Sequence, residues 1–166
     1  MALKWSNILA VTLAALLFAG VAFADVVEFR SCDENVDETF GEPIQRNCTI
    51  NAVSVTPCPE AAEGKPCKIK RGNSVSLAVD FTPLYADQEL TGRAYWANQL
   101  VDLPLLGMDT NACNYTSCPI KANQKQTYDY KLEISNFFPV RAYDVKWKLW
   151  NDNTECCFLI GIKLLR

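Results

Sequence analysis

The stretch NTECCFLIGIKLLR, residues 153–166, decides the fold of this chain. From Phe158 to Leu164 every second residue is a large apolar one, which is the period of a β-strand with one buried face. Neighbouring side chains of a strand point to opposite faces, so Cys156 is in phase with the inward set and Cys157 is out of phase with it. The inward set is Phe158, Ile160, Ile162 and Leu164. We therefore predict a final strand that carries one cysteine on each face.

Three further segments alternate in the same way, at residues 74–82, 128–134 and 143–149. Their apolar side chains on one face are Val75, Leu77, Val79 and Phe81; Tyr128, Tyr130, Leu132 and Ile134; and Tyr143, Val145, Trp147 and Leu149. Turn-rich segments separate them, and no segment of helical length has a convincing 3.6-residue period. The pattern predicts an all-β domain, a β-sandwich or small barrel with mostly antiparallel connections.

The other end of the chain predicts export. Residues 1–24, MALKWSNILAVTLAALLFAGVAFA, have an early lysine, an apolar core and a small-residue ending of the A-x-A type. That is the layout of a secretory signal peptide, with cleavage expected after Ala24. No other stretch approaches the roughly 20 apolar residues that a membrane-spanning helix needs. We expect a secreted, extracellular protein whose mature chain, residues 25–166, is a single domain.

All eight cysteines lie after residue 24, and an even number in an exported chain indicates disulfides. Cysteine-only zinc sites are the alternative, but the spacings do not match the usual C-x2-C pattern. Two pairs flank turn-like segments and can close locally, namely Cys58 with Cys67 and Cys113 with Cys118. This leaves Cys32 and Cys48 for Cys156 and Cys157, and spacing alone does not say which pairs with which.

Composition excludes several classes of function. There is no histidine, which removes Ser-His-Asp and Cys-His catalysis and histidine-ligated metals. The formal charge is −3 and there is no Lys/Arg run, so a nucleic-acid partner is not expected. No pair of acids is singled out by a motif, and the cluster at residues 33–38 is more simply a solvated loop. We predict no enzymatic activity, no metal and no cofactor. Sequons at Asn114 and Asn47 are candidate glycosylation sites.

Four segments, in this order, resemble the ML (lipid-recognition) domain family, which includes the Niemann–Pick type C2 proteins. The first is SVTPCPEAAEGKPCKIKRGNSVSLAVDFTP, of the form V-x-P-C-P, then P-C-x-I/L-x-R-G and a strand. The second is ACNYTSCPIKANQKQTYDYKLEI, the third is FFPVRAYDVKWKL, and the fourth is CFLIGIKL. The CCFLIGIKLLR ending looks most like the secreted arthropod branch. The resemblance covers about residues 32–165.

The resemblance implies an immunoglobulin-like β-sandwich of about seven strands in two antiparallel sheets, with an apolar cavity between them. It implies three family disulfides, Cys32–Cys157, Cys58–Cys67 and Cys113–Cys118. The fourth pair, Cys48–Cys156, then follows by elimination. It also implies carriage of a sterol, fatty acid or similar lipid between the sheets by a monomer. Possible partners are a receptor or a lipid-accepting membrane protein.

Three pocket positions carry over from the family motifs: Leu105, Ile134 and Phe138. All three are apolar, although Leu105 replaces an aromatic residue, and the acidic insert at residues 33–47 is longer than in typical members. These departures put sterol in doubt as the specific ligand but leave the lipid class intact. Four stripe residues are further candidates for the pocket wall, although residues in such stripes are more often core than ligand wall: Val79, Phe81, Tyr130 and Trp147.

A second function, from another class, is an extracellular innate-immune module that recognises microbial surface lipids. Such a module is expected to bind amphiphiles with large polar heads, whereas a carrier is expected to enclose a single lipid. A purely structural sandwich is expected to bind none.

Overall fold

A computed structural model describes residues 25–32, 47–98, 100–152 and 154–166. The predicted signal peptide and all but the last residue of the acidic segment 33–47 lie outside these ranges. The described residues form ten strands and two short 3-10 helices, at Pro59–Glu63 and Ala112–Asn114, with no α-helix among them. In chain order the strands are β1 Asp25–Val26, β2 Arg30–Ser31, β3 Cys48–Thr56, β4 Cys67–Lys70, β5 Ser74–Pro83, β6 Thr91–Trp96, β7 Leu103–Pro104, β8 Gln126–Glu133, β9 Ala142–Trp150 and β10 Glu155–Leu165.

The strands form two sheets. The first has the order β1-β3-β5-β8, and the second has the order β2-β10-β9-β6-β7 with β4 also paired to β10. Pairing is antiparallel except between β4 and β10, which run parallel. Parallel pairing is possible there because most of the chain, and not a tight turn, connects the two strands. The all-β sandwich prediction is confirmed, and the three extra strands beyond about seven, β1, β2 and β7, have two residues each.

The alternating segments of the sequence are β5, β8, β9 and β10, and their predicted inward faces are the buried ones. Along β10, Phe158, Ile160, Ile162 and Leu164 are all at most 6% exposed. Cys156 is buried with them, whereas Cys157 is only partly buried on the opposite face. The phase argument for the two cysteines is confirmed. Leu159, out of phase with the inward set, is buried as well.

Four disulfides join the described residues. They are Cys32–Cys157, Cys48–Cys156, Cys58–Cys67 and Cys113–Cys118, the same pairs that the sequence analysis gives. The first two tie β10 to separate N-terminal segments, one from each of its faces. Cys48 opens β3 in the first sheet and Cys156 lies on β10 in the second, so this bond links the sheets directly. Among the described residues, no helix is long and apolar enough to span a membrane.

Candidate functional site

The space between the two sheets is lined by apolar side chains. Every second side chain of β3, β5 and β8 points toward the inward side chains of β9 and β10. Together these side chains form one hydrophobic core. No buried residue in the described part of the chain is charged or is a Ser, Thr, Asn or Gln. An interior of this kind holds water poorly and favours contact with hydrocarbon.

The four stripe residues lie deep in this interior. Val79 and Phe81 on β5 are fully buried, and Tyr130 on β8 and Trp147 on β9 are nearly so. The ring centroids of Tyr130 and Trp147 are 5.6 Å apart, so the two sheets are in contact here. The structure therefore gives these residues the packing of core side chains, and a role in a pocket wall stays a prediction for them.

Two of the three family pocket positions, Leu105 and Phe138, contact β6, and the third, Ile134, directly follows β8. The Phe138 ring packs edge-on against the Trp96 ring at the end of β6, with centroids 5.0 Å apart. Leu105 is 3% exposed, and its backbone N–H donates to the carbonyl of Ala94 on β6 at 2.9 Å. Ile134 is buried immediately after β8, and Phe138 is partly buried four residues later.

Several contacts hold the segment 134–141, which carries Ile134 and Phe138. Its first residue exchanges backbone hydrogen bonds with the β4–β5 turn at Gly72 and Asn73. Arg71 donates from Nη1 to the Phe138 carbonyl at 2.9 Å. Tyr143 donates from Oη to the Pro139 carbonyl at 2.8 Å, and its ring packs at a tilt against the Trp96 ring, with centroids 4.4 Å apart. The segment is thus anchored to both sheets while Phe138 covers the end of the interior.

Exposed apolar side chains surround this end. Phe137 is 96% exposed beside Phe138, and Leu106 is 89% exposed beside Leu105. Leu103 on β7 is 54% exposed, and its backbone pairs with that of Trp96 on β6. The remaining members on the same two connections are Leu100, Val101 and Val140. We call these six residues the apolar rim. Sequence reasoning missed the rim, because its residues fall in connections and in the two-residue strand β7, where no period marks them.

The other end of the interior is closed by aromatic rings. Tyr115 packs against Tyr130 with centroids 4.5 Å apart, and against Tyr128 at 5.9 Å. Its Oη donates to the Asp109 carboxylate at 3.1 Å. The pKa of Asp109 is lowered, chiefly by a hydrogen bond from Asn114, so the carboxylate stays ionised as an acceptor. Burial raises the pKa of Tyr128, whose phenol therefore stays neutral.

The candidate glycosylation sites differ in exposure. Asn114 is exposed at the end of its 3-10 helix, and its side-chain amide donates to Asp109 at 2.8 Å. Asn47 is partly buried next to the disulfide-bonded Cys48, and its carbonyl accepts from the Leu84 N–H at 2.7 Å. Modification of either residue stays a prediction.

Comparisons with known proteins agree with this geometry. A family model described as ML domain matches residues 26–164. The chain is 32% identical over 155 residues to the MD-2-related lipid-recognition protein of Manduca sexta, covering 92% of this chain and 93% of the relative. It is 29% identical over 153 residues to the NPC intracellular cholesterol transporter 2 of Sus scrofa, covering 92% and 93%.

The fold also matches a solved structure, that of a Niemann–Pick type C2 protein from the Japanese carpenter ant. The TM-score is 0.67 at 16% identity, over 83% of this chain and 99% of that one. The names of these relatives describe lipid recognition and cholesterol transport, which agrees with the prediction that the chain is not an enzyme. The family model spans nearly the whole described chain, and the four motifs of the sequence lie on the strands and turns that build this sandwich. The chain is a member of the ML-domain family.

Proposed function

We propose that this protein is a secreted carrier that encloses one hydrophobic lipid, such as a sterol or a fatty acid, between its two sheets. The observation that carries the proposal is the interior itself, which both sheets line with apolar side chains and which has the apolar rim at one end. A lipid that enters it removes its own apolar surface from water, at about 25 cal/mol per Å².

The ligand would enter where Phe138 packs on Trp96. Both residues belong to peripheral parts of the fold, one to a connection and one to the last position of β6. Moving the Phe138 ring away costs an aromatic contact of about 0.5–1.5 kcal/mol, which the buried area of a lipid readily offsets. Leu105 and Ile134 would then form the first part of the wall that the ligand meets.

The apolar rim supports delivery of the lipid to an apolar acceptor. Six exposed apolar side chains on two neighbouring connections form the kind of patch that marks a contact site with a protein or membrane. A carrier needs such a surface, because a lipid that leaves through water pays the full cost of hydration. A membrane, or a membrane protein that accepts lipids, is therefore the partner we propose.

The test is mass spectrometry of lipids extracted from the natively folded, secreted protein, beside a matched pair of variants. Leu105→Trp fills the buried wall, whereas Leu103→Trp, two residues earlier, adds the same ring to an exposed position. We expect a discrete lipid on the wild type and on Leu103→Trp, and a loss of most of it on Leu105→Trp. Circular dichroism and thermal unfolding confirm that each variant is folded.

Two outcomes would contradict the proposal. If the wild type carries no lipid and takes up neither sterol nor fatty acid, the interior is filled by its own side chains. If it binds only amphiphiles with large polar heads, as in microbial surface lipids, the recognition module replaces the carrier. The same preparation tests export, since amino-terminal sequencing of the secreted protein should begin at Asp25.

A further inference from the structure

Two polar atoms deep between the sheets have no hydrogen-bond partner. They are the phenol oxygen of Tyr128 on β8 and the indole nitrogen of Trp147 on β9. Tyr128 is 0% exposed and Trp147 is 1% exposed, and their ring centroids are 5.9 Å apart. The indole N–H lies near enough to the phenol to oppose part of the rise in the Tyr128 pKa. Neither atom, however, makes a contact within hydrogen-bond distance and angle limits.

The other tyrosines of the same region are paired. Tyr130, two residues further along β8, accepts from the Asp109 N–H at 3.1 Å. Tyr115 donates to the Asp109 carboxylate, and Tyr143 donates to a backbone carbonyl. A buried hydroxyl without a partner costs about 1–3 kcal/mol, so such groups are rare in proteins. The unpaired state of Tyr128 is therefore a specific feature of this interior.

Apolar groups lie on the β6 side of the Tyr128 hydroxyl, while Tyr130, Tyr115 and Asp109 act on it electrostatically. A methyl group built on Gly92 would lie 3.2 Å from it, beside side-chain carbons of Leu149 and Ala112. The phenol and the indole come from opposite sheets, and both can donate. No buried cation stands among the described residues to pair with a carboxylate. The chemistry of the place fits a neutral acceptor oxygen, because burying an unpaired carboxylate would cost far more.

Tyr128 lies near the start of β8, whereas Ile134 and Phe138 follow the end of that strand. Tyr128 precedes Ile134 by six residues on an extended strand, a distance of about 20 Å at roughly 3.3 Å per residue. A long lipid that enters past Phe138 would therefore bring its far end, and not its head, to Tyr128 and Trp147.

We propose that the carried lipid has a neutral oxygen, a hydroxyl or a carbonyl, at its inner end, held by the Tyr128 hydroxyl and the Trp147 indole N–H. The proposal rests on the carrier function above and narrows its ligand class. It predicts a preference for lipids that carry an oxygen at the end away from Phe138, over lipids that end there in plain hydrocarbon.

The experiment compares palmitic acid with 16-hydroxypalmitic acid, which differ only by the terminal hydroxyl. Both are measured by displacement of a fluorescent fatty acid from the full-length mature protein. The wild type should bind the hydroxylated acid at least as tightly as palmitic acid. In Tyr128→Phe the hydroxylated acid should lose about tenfold in affinity relative to palmitic acid, the value of one buried hydrogen bond.

Two matched controls remove other phenol hydroxyls. Tyr115→Phe removes a hydroxyl in the same ring cluster that is already paired. Tyr85→Phe removes an unpaired buried hydroxyl in the connection between β5 and β6. Both should keep the wild-type ratio of the two affinities. A second measurement uses the wild type alone. The indole ¹H–¹⁵N resonance of Trp147 should shift further downfield when the hydroxylated acid binds than when palmitic acid binds.

The outcomes separate the two proposals. If palmitic acid binds but the affinity ratio is the same in wild type and Tyr128→Phe, and the Trp147 resonance responds alike to both acids, the inner oxygen is refuted and the carrier stands. If the wild type binds the hydroxylated acid much more weakly than palmitic acid, the polar pair is a packing or hydration feature, and the inner oxygen is again refuted. If neither acid nor a sterol binds the wild type, the carrier proposal fails, and the inner oxygen fails with it.

Discussion

The two disulfides that hold β10 should stabilise the fold in a strongly coupled way. Cys32–Cys157 closes a separation of 125 residues and Cys48–Cys156 one of 108. Taken singly, the loop-closure relation gives about 4.9 and about 4.8 kcal/mol at 25 °C. The two bonds meet at adjacent cysteines, however, so either bond already brings the ends of the other close together.

The second bond then closes only a small ring. It runs from Cys32 to Cys48 and across the step from Cys156 to Cys157, about 17 residues, for which the same relation gives about 3 kcal/mol. Removing either bond alone should therefore cost about 3 kcal/mol, and removing both should cost about 8. The difference from additivity, about 2 kcal/mol, is the coupling free energy.

The assay is urea unfolding, without reductant, of the wild type, of the two Cys→Ala pair variants and of the fourfold variant. Cys156 is buried, so the variant that lacks it should lose a little more stability because the missing sulfur leaves a void. The Cys113–Cys118 pair is the control: its separation of 5 gives about 2 kcal/mol, which should add to either loss. Single losses near 5 kcal/mol that simply add would refute the shared-ring reasoning.

Three further outcomes are expected. Arg71→Met removes a partly buried, charge-assisted hydrogen bond to Phe138, so the free energy of unfolding should fall by about 1–2 kcal/mol. A bound fatty acid should also dissociate several-fold faster in stopped-flow exchange. An unchanged dissociation rate would contradict a closing role for the segment 134–141. Gly92→Ala should cost about 1–3 kcal/mol, because its methyl meets a leucine carbon at 3.0 Å, whereas Gly161→Ala, with 3.4 Å to the nearest atom, should change stability little. A hydrogen bond from Lys125 lowers the pKa of Asp80, so the stability that Asp80 contributes is complete above its unfolded pKa and is lost as the pH falls through its folded pKa. The free energy of unfolding should therefore fall less between neutral pH and pH values below about 4 in Asp80→Asn than in the wild type. Lipid affinity should stay constant from pH 7.5 to 5.5, because the chain has no histidine.

Sequence reasoning was strongest where large apolar residues alternate. In β5, β8, β9 and β10 the inward side chains are large enough for the two-residue period to stand out, and burial follows that period. It was weakest in β6, whose inward residues Gly92 and Ala94 are too small to mark a face. Glycine is needed at position 92 because Leu149 from the neighbouring strand and Tyr128 from the opposite sheet press against it, a fact of packing that no local pattern contains.

The candidate site divides in the same way. Leu105, Ile134 and Phe138 could be named from family motifs alone, but no motif or period marks Trp96, on which Phe138 packs. The six residues of the apolar rim belong to two connections some thirty residues apart in the chain, and only folding brings both beside β6 and its neighbours. Their shared role therefore could not be read from either connection separately.

The sequence by itself determined the strands β5, β8, β9 and β10, their inward faces and the opposite directions of Cys156 and Cys157, because these follow from the two-residue period of an extended backbone. Only the tertiary structure decided which buried polar groups find partners. Tyr128 and Tyr130 have the same phase on the same strand, yet the Tyr130 hydroxyl accepts from the Asp109 backbone and the Tyr128 hydroxyl has no hydrogen-bond partner. A hydrogen bond needs a partner within about 3 Å in the right direction, and that partner comes from a distant loop or the opposite sheet.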